Sequence, residues 1–256
     1  MQISAFAQKY RERMFPALTS HLPETDPEIV EIFDNFAFDE VINMPSLGGK
    51  KVDDRMRHIA ILATLLGCQG IDEFSLMLQA AVNFGVTPTE IKEITYQAVP
   101  YLGMGRVFPF LGAVNEFLES RGVPLPLERQ ATVTAENRRE AGTRAQVEIF
   151  GEHMQDFWKS GPEESRHINL WLAANCFGEF YTRGGLTLAE RELVTFCFLV
   201  ALGGCEPQLA NHVTANIRLG NDRFFLVAII SHCLPFNGYP RSLNALACVK
   251  KVAESQ

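Results

Sequence analysis

The sequence predicts an all-α protein built from two tandem copies of one helical domain. Helical periods and helix start signals recur along the chain, and alternating strand patterns bounded by hairpin turns are absent from it. The chain also aligns with itself at an offset of 135 residues without a gap. The matched positions include turn residues: Pro27 with Pro162, Gly85 with Gly220, and Pro100 with Pro235. Each copy has the length of an ordinary domain.

The first copy is predicted over residues 1–121 and the second over residues 136–256. They are joined by a linker at residues 122–135, which contains Pro124 and Pro126 and has no helical period. The repeat therefore divides the chain into two domains of similar size.

Within each copy, the periodicity predicts the same order of helices. An opening helix (5–17 or 138–158) is followed by a second helix (27–41 or 162–180), a Gly-Gly turn and a long buried helix (54–66 or 189–202). A short helix then ends at Gly85 or Gly220. In the first copy, Thr87 is predicted to cap a helix that reaches Val99, and a last helix reaches Arg121.

The chemically active side chains are concentrated in residues 185–220 of the second copy. Thr187 and Glu190 form a capping-box pattern, which starts a helix that is apolar on nearly every side and therefore buried. A further helix is predicted to begin near Pro207, because proline is tolerated at the first helical position. Cys205 then lies at a helix N-terminus, where the helix dipole favours a thiolate.

Three residues of this stretch are candidate catalytic groups: Glu192, Cys205 and His212. His212 follows Cys205 by seven residues, about two helical turns, so the two share a helix face with Gln208 between them. Spacing alone leaves open whether Glu192 joins them. A purely structural role is also open, because single cysteines and histidines on helices are commonly packing residues.

The repeat separates framework residues from candidate catalytic residues. At the offset of 135, Glu192 aligns with Arg57, Cys205 with Gly70, Gln208 with Glu73, and His212 with Met77. The shared glycines and prolines hold the fold, whereas the candidate catalytic groups occur in the second copy alone. We therefore interpret the second copy as the active one and the first as degenerate, with drift at surface positions as the alternative.

Composition and charge argue against nucleic-acid-binding, membrane-spanning and secreted proteins. A net charge of −7 argues against a broad nucleic-acid surface, and no apolar run reaches the length of a membrane span. The N-terminus lacks the pattern of a secretory signal. The six cysteines are scattered without a Cys-x-x-Cys pair, which argues for reduced thiols in the cytoplasm and against both a disulfide framework and a structural zinc site.

Several motifs together resemble the carboxymuconolactone decarboxylase family, which also includes the alkylhydroperoxidase D-like proteins. They are Arg191-Glu192-Leu193, Gly204-Cys205-Glu206-Pro207-Gln208-Leu209, His212, Ser231-His232 and Pro235-Phe236-Asn237-Gly238. The resemblance covers about residues 45–121 and 180–255. It implies helical domains that assemble into symmetric rings, so a tandem chain is expected to form a homotrimer that mimics a hexamer.

The family resemblance implies two possible chemistries. Peroxidase-type members use a Cys-x-x-Cys pair followed by a histidine, but this chain has Gln208 at the second cysteine position, so Cys205 lacks a local resolving thiol. Decarboxylase-type members need no cofactor or metal; they remove CO2 from a small anionic lactone and protonate the remaining carbon.

For the decarboxylase, the resemblance implies that His212 transfers the proton and that Glu192 orients it or relays the proton. Gln208 and His232 are then expected to bind substrate, with Cys205 in the pocket. We favour this chemistry, and two alternatives remain: thiol-dependent peroxide reduction through Cys205, and a catalytically silent protein that binds a ligand.

Overall fold

The computed structural model describes residues 2–16, 21–45 and 48–255, and in these ranges it contains helices and no strand. The helices of the first copy are α1 (Ala5–Met14), α2 (Leu22–Thr25), α3 (Pro27–Asn35), α4 (Asp54–Cys68), α5 (Ile71–Asn83), α6 (Pro88–Gln97), α7 (Val99–Leu102) and α8 (Met104–Ser120). Those of the second are α9 (Arg138–Phe150), α10 (Arg166–Trp171), α11 (Leu188–Leu202), α12 (Glu206–Arg218), α13 (Arg223–Asn237) and α14 (Tyr239–Ala253). The predicted all-α fold is confirmed.

The capping box predicted at Thr187 is present, and the N-cap predicted at Thr87 is a capping box as well. Thr187 caps α11 and Thr87 caps α6; in each, the threonine side chain accepts from the third backbone N–H, and the glutamate there accepts from the threonine N–H. Each box satisfies two backbone donors that a helix start leaves unpaired. These caps fix where the buried helix α11 and the helix α6 begin.

Several predicted helices are interrupted or shortened. The predicted helices 27–41 and 162–180 each change into a π-helix, π1 at Phe36–Glu40 and π2 at Leu172–Tyr181. The predicted helix 138–158 ends at Phe150, because Gly151 adopts a φ of 115° that helices do not allow, and two 3-10 turns follow. The predicted helix 5–17 ends at Met14, and Ala17 lies outside the described residues.

Two glycines bring α9 unusually close to π2. A Cβ atom at Gly142 would lie 1.9 Å from the carbonyl oxygen of Ala173, and one at Gly178 would lie 2.3 Å from that of Arg138. No side chain fits either position, so the two backbones are in direct contact. This contact sets the position of π2, whose last residue, Tyr181, belongs to the candidate site described below.

The two copies share one hydrophobic core. Its main cluster of buried residues draws on both copies, and the equivalent long helices α4 and α11 pack against each other at its centre. Gly67 allows this approach, since a Cβ atom there would lie 2.6 Å from the Cβ of Ala201. The domain boundaries at residues 121 and 136 stay a prediction, and the shared core makes each copy an incomplete structural unit.

A buried ion network also joins the two copies. Glu93 of α6, 1% exposed, accepts from Arg183 at 2.8 Å and from Arg191 of α11 at 2.9 Å. Arg191 is fully buried and also donates to the side-chain oxygen of Gln97 at 3.1 Å. Burial lowers the pKa of Arg191, and the hydrogen bond and charge of Glu93 act against that shift. The two arginines of the second copy thus depend on one carboxylate of the first.

The surface repeats one apolar feature in both copies. Met104 and Phe108 of α8 are exposed, and so are Tyr239 and Leu243 of α14, which occupy the equivalent positions at the offset of 135.

In the ranges that the structure describes, no helix is both long and apolar enough to cross a membrane.

Candidate active site

Glu192 and His212 form a buried hydrogen-bonded pair. His212 Nδ1 lies 2.7 Å from Glu192 Oε2, and because a carboxylate only accepts, Nδ1 carries the proton. Glu192 is fully buried and His212 is 7% exposed. The sequence left open whether these two residues meet, and the packing of α11 against α12 brings them together.

Glu192 is the end point of a chain of hydrogen-bond donors. Tyr181 donates its proton to Glu192 Oε1 at 2.7 Å. The Tyr181 oxygen must then accept from its other neighbours, the hydroxyls of Tyr101 at 2.7 Å and Thr195 at 2.9 Å. Gln97 donates to Thr195 in turn, at 3.4 Å. The donors in this network point toward Glu192, so that both of its carboxylate oxygens accept a hydrogen bond, one from Tyr181 and one from His212.

Both tyrosines stay protonated across the physiological range. Burial is the main cause that raises the pKa of Tyr181 and of Tyr101 well above the ordinary value, and the negative charge of Glu192 adds to it in both cases. The two hydroxyls therefore act as donors, Tyr181 to the carboxylate of Glu192 and Tyr101 to Tyr181. The imidazole is then the group in the site that is suited to proton transfer.

The second imidazole nitrogen, Nε2, is the atom of His212 that remains for chemistry. Nδ1 is held by Glu192, while the rings of Tyr101 and Phe150 meet the imidazole edge to face, each with centroids 5.5 Å away. These aromatic rings restrict the tilt of the imidazole. A histidine held by a carboxylate in this way is suited to donate or accept a proton through Nε2.

Two asparagines fix the backbone around the pair. Asn216 donates from Nδ2 to the carbonyl oxygens of Glu192 at 3.0 Å and His212 at 2.8 Å. Its own side-chain oxygen accepts from Asn221 at 3.0 Å. These bonds link α11 to α12 at the level of the site, so the distance between carboxylate and imidazole is set by buried polar contacts.

The first copy contributes side chains to this site, which the sequence did not predict. Tyr101 and Gln97 reach across from α7 and α6 to the network around Glu192. Tyr181 was also missed, because its position depends on the π-helix π2. The available signal was limited to the position of Tyr101 in the segment Pro-Tyr-Leu-Gly, which aligns with Pro-Phe-Asn-Gly at residues 235–238 of the second copy.

Cys205 lies at the N-cap of α12, as predicted, but its surroundings do not favour a thiolate. Its sulfur donates to the carbonyl oxygen of Leu199 at 3.5 Å. Burial, together with Glu206 and Cys248, raises the pKa of the Cys205 thiol. This direction is opposite to the expected stabilisation of a thiolate. The groups that act on Cys205 are thus Leu199, Glu206 and Cys248, whereas Glu192 and His212 bind each other.

The thiol of Cys205 is therefore expected to react with peroxide no faster than that of Cys68. Both thiols are partly buried, and burial raises the pKa of both, so neither has an excess of thiolate. Brief, substoichiometric peroxide treatment with a sulfenic-acid trap, followed by peptide mass spectrometry, measures the two in one sample. Oxidation of Cys205 far ahead of Cys68 would contradict this expectation and favour thiol chemistry.

The other two predicted site residues lie apart from the pair. Gln208 is exposed on the first turn of α12. His232 of α13 is buried, and its Nδ1 accepts from the Nε of Arg57 at 3.2 Å. Arg57 is the residue that aligns with Glu192 in the first copy, so His232 belongs to a second polar cluster.

Among the described residues, no group of three or more histidine, cysteine, aspartate or glutamate side chains is arranged to hold a metal ion.

Comparisons with known proteins agree with the repeat. The sequence model of the carboxymuconolactone decarboxylase family matches residues 27–116 and 169–251, one stretch in each copy. The chain is 29% identical over 118 residues to a 4-carboxymuconolactone decarboxylase from Acinetobacter baylyi, covering 46% of this chain and 87% of that protein. A crystal structure from Burkholderia xenovorans, described as a candidate gamma-carboxymuconolactone decarboxylase subunit, shares the fold with a TM-score of 0.53, at 17% identity over 98% of both chains.

Proposed function

Because this chain is a tandem two-copy member of the carboxymuconolactone decarboxylase family, we propose that it is a carboxy-lyase that decarboxylates a small carboxylated lactone or a related acid. The observation that carries this proposal is the buried Glu192–His212 pair, held at 2.7 Å in the second copy. The name of the Acinetobacter relative supports the reaction class. The chain's own residues would carry out the proton transfer.

The proposed reaction needs one proton donor. Cleavage of the carbon–carboxylate bond releases CO2 and leaves the electron pair on the substrate carbon, where an adjacent carbonyl delocalises it as an enolate. His212, as an imidazolium, then gives its Nε2 proton to that carbon, and solvent restores the proton afterwards. Glu192 stabilises the positive imidazole before transfer and keeps Nε2 in a fixed direction.

The tyrosine network supports the same assignment of roles. With Tyr181 bound to one oxygen of Glu192 and His212 to the other, both carboxylate oxygens are occupied by donors. The carboxylate therefore cannot rotate away from the imidazole without breaking a buried hydrogen bond, which costs free energy. Such preorganisation is what a proton-transfer group requires.

The direct test is release of CO2 from 4-carboxymuconolactone, the compound named for the Acinetobacter relative. We expect turnover by the wild-type protein, measured as CO2 formed against lactone consumed. Other small lactones and acids with a carboxylate form the comparison set. If the protein binds such acids without converting any of them, the silent ligand-binding alternative replaces the carboxy-lyase.

Peroxide reduction through Cys205 has less support. Its thiol is a hydrogen-bond donor with a raised pKa, and position 208 is a glutamine in place of a second cysteine. Both features disfavour attack on a peroxide, which requires a thiolate.

The chain is also proposed to form a homotrimer through the exposed apolar positions that both copies share. The α8 face of the first copy in one chain can then contact the α14 face of the second copy in the next chain. Repeated head to tail, this contact closes into a ring. The double variant Phe108→Asp/Leu243→Asp is expected to lower the mass measured by light scattering from about three times 28.6 kDa to 28.6 kDa. Arg144→Asp, an exposed change of charge elsewhere, should leave the assembly intact. A monomeric wild-type protein would refute the trimer.

A further inference from the structure

A second polar cavity lies between the two copies, beside Arg57, the residue of the first copy that aligns with Glu192. It has a volume of about 230 Å³ and lies between the segment before α4 and the helix α13. Its polar lining consists of Lys50, Lys51, Arg57, Ser231 and His232. No aspartate or glutamate is among the described residues that line it, so every charged group facing the cavity is a cation.

The inner end of the cavity is built from buried, oriented groups. Arg57 is 8% exposed at its side chain, and its Nη1 donates to the hydroxyl of Tyr10 at 2.7 Å and to Asp54 Oδ1 at 2.5 Å. Its Nε donates to His232 Nδ1, which fixes the proton of the neutral imidazole on Nε2. Burial and the charge of Arg57 lower the pKa of His232 to about 3, so this neutral form persists at physiological pH.

The net charge of the cavity comes from its two lysines. Asp54 compensates Arg57, and the carboxylate of Asp222, which lies against Gly49, accepts from the backbone N–H of Phe225. Neither Lys50 nor Lys51 forms an ion pair with a carboxylate among the described residues. Lys50 is exposed, and its Nζ lies 5.1 Å from the centre of the Phe225 ring, so the ammonium is held near an aromatic face beside the cavity. In a chain with a net charge of −7, this is a local positive potential over hydrogen-bond donors.

The internal repeat also supports a negatively charged ligand for this cavity. Arg57 stands at the position of Glu192, on the equivalent helix, and each of these residues meets a histidine of the second copy. The first copy therefore keeps a buried ionised group at this place but has reversed its sign. A reversal of charge at one buried position changes which ligand can bind, whereas loss of function alone would allow an apolar residue there.

The remaining lining is apolar and includes Met44, Phe224 and Val227. A cavity of about 150 Å³ already accommodates benzene, so about 230 Å³ accommodates a six-membered ring with a small substituent. We propose that this cavity is a binding site for a small carboxylic acid with a flat apolar body, separate from the Glu192–His212 site. The carboxylate would face the cationic and N–H groups, and the ring would face the apolar wall.

Fluorine NMR of the full chain with 4-fluorobenzoate tests the proposal. The neutral isostere 4-fluorobenzamide and inorganic phosphate separate the contributions of charge and ring. We expect saturable broadening with the benzoate, at least about tenfold weaker binding of the benzamide, and poor displacement of the benzoate by phosphate. Equal binding of benzoate and benzamide, or displacement by phosphate at the same concentration, would overturn the proposal.

Variants locate the site. Lys50→Gln/Lys51→Gln should weaken benzoate binding about tenfold, since these two cations supply the uncompensated charge of the cavity. The matched pair Lys250→Gln/Lys251→Gln, also two adjacent exposed lysines, should leave it unchanged. A second, steric variant, Ala228→Phe, fills the cavity and should abolish binding while thermal unfolding shows that the fold is retained. Unchanged affinity in both cavity variants would refute the site.

The same experiment distinguishes this site from the proposed catalytic one. His212→Ala should bind 4-fluorobenzoate as the wild type does, and loss of binding there would place the probe at the Glu192–His212 pair and refute a second site. The outcome does not depend on whether the protein decarboxylates any lactone, because binding is measured without turnover.

Discussion

Replacement of His212 by alanine is expected to lower the rate of decarboxylation about 10²–10⁴-fold, the usual contribution of a positioned proton-transfer group. The loss should appear in kcat, because the proton is transferred after the substrate is bound and its carboxylate has left. His212→Ala also removes one of the two donors to Glu192, leaving Tyr181 as the remaining one. The measurement is CO2 release at saturating substrate, with circular dichroism to confirm that the helices persist.

Glu192→Gln separates the role of charge from that of shape. The amide fills the same space, but it does not stabilise an imidazolium at a distance of 2.7 Å as a carboxylate does. We expect a lower kcat with little change in KM, because the amide no longer forms a charge-assisted hydrogen bond with the imidazole. A carboxylate that served packing alone would leave kcat unchanged, since the amide fills the same space.

Cys205→Ala is the control within the same stretch of sequence. Since the thiol donates to the Leu199 carbonyl and has a raised pKa, its removal should leave kcat within a few-fold of the wild type. If Cys205→Ala abolishes turnover while His212→Ala is active, the proposed assignment is wrong and the thiol carries the reaction.

The sequence predicted the parts of this site that depend on local rules. The capping box at Thr187, the N-cap at Thr87 and the helix start at Cys205 follow from short patterns of side chains that satisfy backbone groups nearby. The long apolar helix α11 was predictable for the same reason, since an all-round apolar helix must be buried. These features place Glu192 and His212 on defined helices.

What the sequence did not predict depends on contacts between distant residues. The π-helix that carries Tyr181 depends on the close approach of α9 at Gly142, far earlier in the chain, and no local propensity encodes it. Tyr101 and His232 each cross from one copy to the other, so their partners, Tyr181 and Arg57, cannot be found within one repeat. The motif placed His232 with the catalytic pair, whereas packing places it with Arg57.

Replacement of Glu93 by glutamine is expected to destabilise the protein by about 3–5 kcal/mol, the range seen when one partner of a buried ion pair is removed. Glu93 compensates two arginines, and Arg191 is fully buried, so the variant leaves a guanidinium without its counter-ion away from water. The measurement is urea unfolding at fixed protein concentration. Glu140→Gln, which removes an exposed partner of Arg144, should change the free energy of unfolding by less than about 0.5 kcal/mol.

The loss in free energy of unfolding caused by Glu93→Gln shows how far the ion network contributes to holding the two copies together. Glu93 belongs to the first copy and both of its arginines to the second, while the helices α4 and α11 form the apolar contact beside it. A loss of several kcal/mol in one cooperative transition means that the ion network and the shared core unfold as one unit. A loss below about 1 kcal/mol would mean that Arg191 is satisfied by water or by neighbouring carbonyl groups when Glu93 is gone, and that the copies stay joined without this ion network.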